Sequence, residues 1–147
     1  MEIALLRAIP LFAELPVPAI EGLAAALTPA DVPAGTVLMK QGDPGDAYFV
    51  IAAGLFDVTQ GGRFLRTCGR GEGAGEIALL RAIPRTATVT ARTDATVYRL
   101  GREPFLTAVL GHAATQRQAE GRADALLAAD AAAGGAVVDG TGAKGPQ

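Results

Sequence analysis

The sequence predicts a mainly β fold, an antiparallel sandwich or small barrel with helices at both ends. Three observations carry this. Between residues 35 and 100, short runs rich in Val, Thr, Phe and Tyr follow one another: GTVLMKQ, AYFVIAAG, LFDVTQ, RFLRTCG, RTATVTA and ATVYRL. QGDPGD at 41–46, QGG at 60–62 and RTD at 92–94 separate several of them, with residues that start turns or tolerate positive φ. On both sides the spacing becomes helical. Short, evenly spaced strands with turn signals between them are the pattern of a sandwich or barrel.

At the N-terminal side, Ile20, Leu23, Ala24 and Leu27 recur at i, i+3, i+4 and i+7, and the segment before Pro33 is read as helical throughout. The closing helices start near Glu103, with Pro104 in the first turn and Phe105, Leu106, Val109 and Leu110 on one face. The stretch 115–133 has high helix propensity, but Leu126 and Leu127 are its only large apolar residues, so it is expected to pack lightly. One domain over residues 1–133 results: a helical lead-in at 3–30, a β-barrel at 32–100 and C-terminal helices at 103–133. Residues 134–147, GGAVVDGTGAKGPQ, have the composition of a disordered tail.

Composition narrows the function. The 147 residues suffice for one core. Thirteen Lys and Arg against fifteen Asp and Glu, a net charge of −2, leave no basic stripe for a run of phosphates, so no direct nucleic-acid partner is expected. No apolar run approaches the roughly 20 residues that span a bilayer, and MEIALLRAIPLF carries Glu2 and Arg7 where an export signal would be apolar. The lone Cys68 suits a reducing compartment, and a cytoplasmic location is the expectation. One His, His112, and one Cys fall short of the ligands a metal site needs, so none is expected; the chain contains no Ser, and no enzymatic activity is expected.

EIALLRAIP occurs at residues 2–10 and again at 76–84. The flanks distinguish the copies. The second follows GRGEGAG and precedes Arg85-Thr86-Ala87-Thr88. Its glycines let backbone approach a ligand, and the free N–H groups opening a helix at Glu76 attract an anion. Two helical turns rise about 9–10 Å, so only a side chain as long as Arg85 reaches back to the helix start after the chain turns at Pro84. Arg supplies a permanent charge and a two-pronged donor for phosphate. Glu76 beside an anion site makes sense if the ligand carries hydroxyls, as a ribose phosphate does.

GEIALLRAIPRTATV resembles the phosphate-binding cassette of cyclic nucleotide-binding domains, the family of the catabolite activator protein and the protein kinase A regulatory subunit. GDPGDAYFVIAAG and IPLFAELP resemble the same family's turn-and-strand and its N-terminal helices, so the likeness runs from about residue 5 to 112. It implies a jelly-roll β-barrel, a double-stranded β-helix, and a module that senses cAMP or cGMP without a cofactor. It further implies that Gly75, Ile77 and Ala78 give backbone contacts and that Glu76 takes the ribose 2′-OH. Arg85 would bind the cyclic phosphate, flanked by Thr86 and Ala87, while Val58 and Leu65 wall base and ribose. Thr86 is associated in the family with tolerance of cGMP. Ala74 departs from the aromatic residue usual before Gly-Glu.

The implied output is a shift of the C-terminal helices, received by an effector protein or domain outside this chain. Two other readings stand beside it: the ligand-sensing part of a catabolite-activator-type transcription regulator without its DNA-binding part, and a protein-interaction module with a vestigial pocket. The first copy of the repeat has Leu11-Phe12 where the second has Arg-Thr, and is read as a helix whose Leu11 and Phe12 anchor on the sheet. Arg7 and Arg81, the matched arginines within the copies, are read as solvated.

Overall fold

The computed structural model describes residues 2–81, 83–111 and 113–133. His112 and the segment 134–147, for which a helix junction and a disordered tail are expected, lie outside them. Helix α1 (Glu2–Arg7) leads through a 3-10 turn at Pro10–Phe12 into α2 (Val17–Ala26). Pro18 falls in the first turn of α2, where no intrahelical N–H is required, and Ile20 and Leu23 are its buried residues. The lead-in is shorter than expected. Thr28–Val32 is a strand, β1, so the helical segment stops at Ala26 and the β region begins at Thr28. Pro29 and Asp31 disguise it. Both are tolerated because β1 lies at a sheet edge, with four of its five residues exposed.

Seven strands follow: β2 (Val37–Met39), β3 (Ala47–Ala53), β4 (Phe56–Gln60), β5 (Arg63–Cys68), β6 (Gly73–Ala74), β7 (Thr88–Ala91) and β8 (Ala95–Gly101). Helix α3 (Glu76–Arg81) joins β6 to β7, and α4 (Arg102–Leu110) and α5 (Ala113–Ala133) close the fold. The strands form two four-stranded antiparallel sheets, ordered β1-β8-β3-β6 and β2-β7-β4-β5. The two-residue β6, inside GRGEGAG, has no strand-like composition to announce it. Residues 85–87 were expected in a strand, but β7 starts only at Thr88. Arg85 spends its backbone groups on the 41–46 turn instead: its N–H donates to Asp43 O at 2.8 Å, and Gly42 N–H donates to its carbonyl at 2.9 Å.

Period-two alternation along β3 and β8 divides the interior into two cores. Tyr48, Val50 and Leu100 face the helical layer, where they join Leu6, Leu11, Phe12, Ile20, Leu79 and Phe105. Ile51, Ala95 and Val97 face the opposite way and meet Phe56, Val58, Val89 and Met39 between the sheets. Leu11 and Phe12 do anchor the first copy of the repeat: both are buried, and Phe12 meets Tyr48 edge-on at 5.6 Å and Phe105 at 6.2 Å. Arg7 is not merely solvated, because its Nη1 donates to Ala13 O at 3.0 Å and Leu15 O at 2.6 Å, closing the turn after the helix. On α4, Phe105, Ala108 and Val109 are buried, but Leu110, at the last helical position, is 51% exposed.

α5 packs with few large apolar groups, as its composition requires, yet charged contacts tie it down. Asp130, 2% exposed, receives Arg66 of β5 in a two-pronged pair, Nη1–Oδ1 2.5 Å and Nη2–Oδ2 3.4 Å. Asp124 pairs with Arg81 of α3, which also donates to Glu120 O at 3.2 Å. Arg81 is therefore a bridge between helices and not a free surface cation. Arg122 pairs with Glu76 at 2.7 Å. Among the described residues no helix is long and apolar enough to cross a membrane.

Candidate functional site

Strand β6 delivers the chain to Gly75, whose φ of +110° turns it into α3. Glycine is required there twice over. The dihedral disfavours any L side chain, and a Cβ would lie 2.7 Å from Arg85 Nη1 and 2.9 Å from Ala47 O. Arg85 does reach back from beyond Pro84 to the start of α3: Nη1 donates to Gly75 O at 3.1 Å and Nη2 to Ala47 O at 2.7 Å. It is 6% exposed, and burial, against the weaker pull of Asp46, lowers its pKa. The nearest acid on it, Asp46, is 3.9 Å away and largely exposed. A guanidinium has five N–H donors. Two neutral carbonyls fix this one in place and, beside the exposed Asp46, leave three donors for an anion.

A cavity of about 70 Å³ opens beside Arg85. Its wall includes Gly75, Glu76, Ile77, Ala78, Arg85, Thr86, Ala87 and Val58, so eight of the nine sequence-predicted residues come together. Leu65 does not line it. The β4–β5 ladder pairs Val58 with Arg66 and then Thr59 with Phe64, which makes Leu65 the extra residue of a bulge. Leu65 packs against the inter-sheet core instead, and Arg66 takes the wall position opposite Val58. Ala74 also faces the cavity, opposite Phe49 in the ladder.

Glu76, 2% exposed, is a buried carboxylate at the first residue of α3. Arg122 Nε donates to its Oε2 at 2.7 Å; among the described residues Oε1 has no hydrogen-bond partner. Burial works against the Arg122 charge, but the Glu76 carboxylate outweighs it and raises the Arg122 pKa. The roof, Arg122 and Leu126 of α5, escaped the sequence reading, as did Arg66. Nothing local marks Arg122, since α5 shows no dominant apolar face from which its inward side could be read. Cys68 lines the wall as a buried thiol whose pKa burial pushes up, the behaviour of a small apolar filler. Among the described residues no three His, Cys, Asp or Glu side chains gather as a metal site would need.

Known proteins resemble this chain in sequence and in fold. The chain is 38% identical over 112 residues to the cAMP-dependent protein kinase regulatory subunit of Yarrowia lipolytica, a match covering 73% of this chain and 30% of that protein. The chain thus spans less than a third of that curated relative. Among solved structures, the regulatory domain of Toxoplasma gondii PKA with cAMP is 29% identical, with a TM-score of 0.71, covering 73% of this chain and 42% of that one. A regulatory subunit of a cAMP-independent protein kinase A from Trypanosoma cruzi, bound to guanosine, is 26% identical, with a TM-score of 0.74 and coverages of 80% and 42%. The family profile of the cyclic nucleotide-binding domain matches residues 29–112, from β1 to the end of α4, and with more than half of its length inside that match this chain belongs to the cyclic nucleotide-binding domain family.

Proposed function

We propose that the chain is a non-enzymatic sensor that holds a purine cyclic nucleotide, cAMP or cGMP, beneath α5 and reports occupancy through that helix. One observation carries the reading: a buried arginine with donors to spare and a buried carboxylate with an oxygen to spare open into one cavity. A cyclic phosphodiester needs the first and a ribose 2′-OH the second. The amides of Ile77 and Ala78, opening α3 where no intrahelical carbonyl reaches them, add donors on the phosphate side. Val58, Arg66 and Leu126 remain for the base, and Thr86 beside the phosphate suits either purine.

With α5 in this position the cavity, about 70 Å³, is smaller than the roughly 300 Å³ at which small-molecule pockets begin. A nucleotide therefore enters only if α5 lifts. Ligand energy moves a helix only through contacts that differ between its two positions, and Glu76 supplies such a contact, because Arg122 grips the carboxylate that the ribose would share. A kinase regulatory assembly is the effector that the Yarrowia relative suggests. A second reading is a nucleoside site, after the guanosine-bound Trypanosoma cruzi structure; it leaves Arg85 without a purpose.

Thermal denaturation separates the readings. Saturating cAMP or cGMP, at 100 times its Kd, should stabilise the chain by about 2.7 kcal/mol. 5′-AMP, with an open and more charged phosphate, should stabilise it far less, and guanosine less again. An unmoved melting curve with both cyclic nucleotides would leave a vestigial pocket as the better description, and a larger shift with guanosine would favour the nucleoside site.

A further inference from the structure

Tyr48 carries a polar group that the site as described does not use. The residue is 1% exposed, on the β3 face toward the helical layer, stacked on Phe105 at 5.0 Å and met edge-on by Phe12. These rings leave it one direction, and its hydroxyl fills the space that Gly73 vacates by having no Cβ; a methyl group at 73 would overlap that oxygen. Gly73 is a wall residue of the cavity, three positions before Glu76. Among the described residues the hydroxyl has no hydrogen-bond partner, although a buried hydroxyl normally has one. After burial itself, the Glu76 carboxylate is the strongest influence raising its pKa, with Arg122 acting in the opposite sense.

Glu76 has the converse difficulty. Arg122 is its one ion-pair partner among the described residues, and Arg122 belongs to the helix that must lift. A buried carboxylate stripped of its partner is strongly unfavourable. We propose that Tyr48 is a positioning residue of the nucleotide site, its hydroxyl donating to Glu76 when Arg122 departs with α5 and so keeping the carboxylate aimed at an incoming ribose. The proposal rests on α5 acting as a movable lid. It gives a purpose to a buried hydroxyl that has no hydrogen-bond partner among the described residues.

The test is a double-mutant cycle of Tyr48→Phe and Arg122→Ala. Without ligand, Tyr48→Phe alone should leave the melting temperature level or raise it, because it removes a buried hydroxyl that has no partner among the described residues. In the Arg122→Ala background the same change should lower it by about 3 °C or more. With ligand, Tyr48→Phe should weaken cAMP binding at least fivefold more in the Arg122→Ala background than beside Arg122, and 2′-deoxy-cAMP should show no such difference. Additive melting shifts, or equal losses for cAMP and 2′-deoxy-cAMP, overturn the proposal. Absence of cAMP binding by the unaltered chain would sink the sensor reading, while the ligand-free cycle would still decide for or against Tyr48.

Discussion

Replacing Arg85 by alanine should weaken cyclic nucleotide binding by roughly 30-fold to several thousand-fold, the 2–5 kcal/mol typical of truncating one partner of a buried charged contact. Calorimetric titration with cAMP and cGMP reads it directly. Arg85→Lys should recover only part of the loss, since an ammonium keeps the charge but not the fork. The structure adds a cost that an arginine simply awaiting an anion would not have. Ala47 O and Gly75 O lose their donor, so the ligand-free protein should also lose about 1–3 kcal/mol of stability. Unchanged affinity in Arg85→Ala would remove the phosphate from this site.

Gly75→Ala should be nearly as damaging, by a different route. A φ of +110° on a residue with a side chain is worth about 1–3 kcal/mol of strain. The new methyl would also meet Arg85 Nη1 and Ala47 O, two of the atoms that set the guanidinium in place. The variant should melt lower and bind as weakly as Arg85→Ala, and combining the two should add little, because the second change acts on an arginine already displaced. Full additivity in affinity would show that Gly75 works independently of Arg85.

Much of this was legible in the sequence because local chemistry decided it. The strands in AYFVIAAG and ATVYRL announce themselves by composition, and GRGEGAGE followed by Arg85 encodes a backbone turn and the one side chain long enough to return to it. Where tertiary context decides, the sequence misleads. Pro29 and Asp31 hide β1 because only its edge position excuses them. The family resemblance implies Leu65 as a wall residue, and the bulge that sets it off the cavity leaves no mark in RFLRTC. Arg122 and Leu126 reach the cavity through the placement of α5, a helix whose alanine-rich faces look alike, and Arg66 reaches it through the β4–β5 bulge. The nine shared residues of the repeat could not tell the copies apart, and residues 11–12 and 85–86 beyond them did.

α5 is fastened in part by arginine–carboxylate pairs, and such a fastening feels its solvent. The three pairs differ in shelter. Asp124 is 71% exposed, whereas Asp130 and Glu76 are each 3% exposed as side chains. Mobile ions screen charges beyond about 8 Å at physiological ionic strength and beyond about 3 Å in molar salt, exposed pairs first. Rising salt should thus loosen the Asp124 contact while the two sheltered ones persist, so the helix yields in stages instead of all at once. Affinity and association rate for a charged nucleotide are then properties of the protein together with its electrolyte, and values taken in dilute buffer will describe a tighter clasp than the one a cell provides.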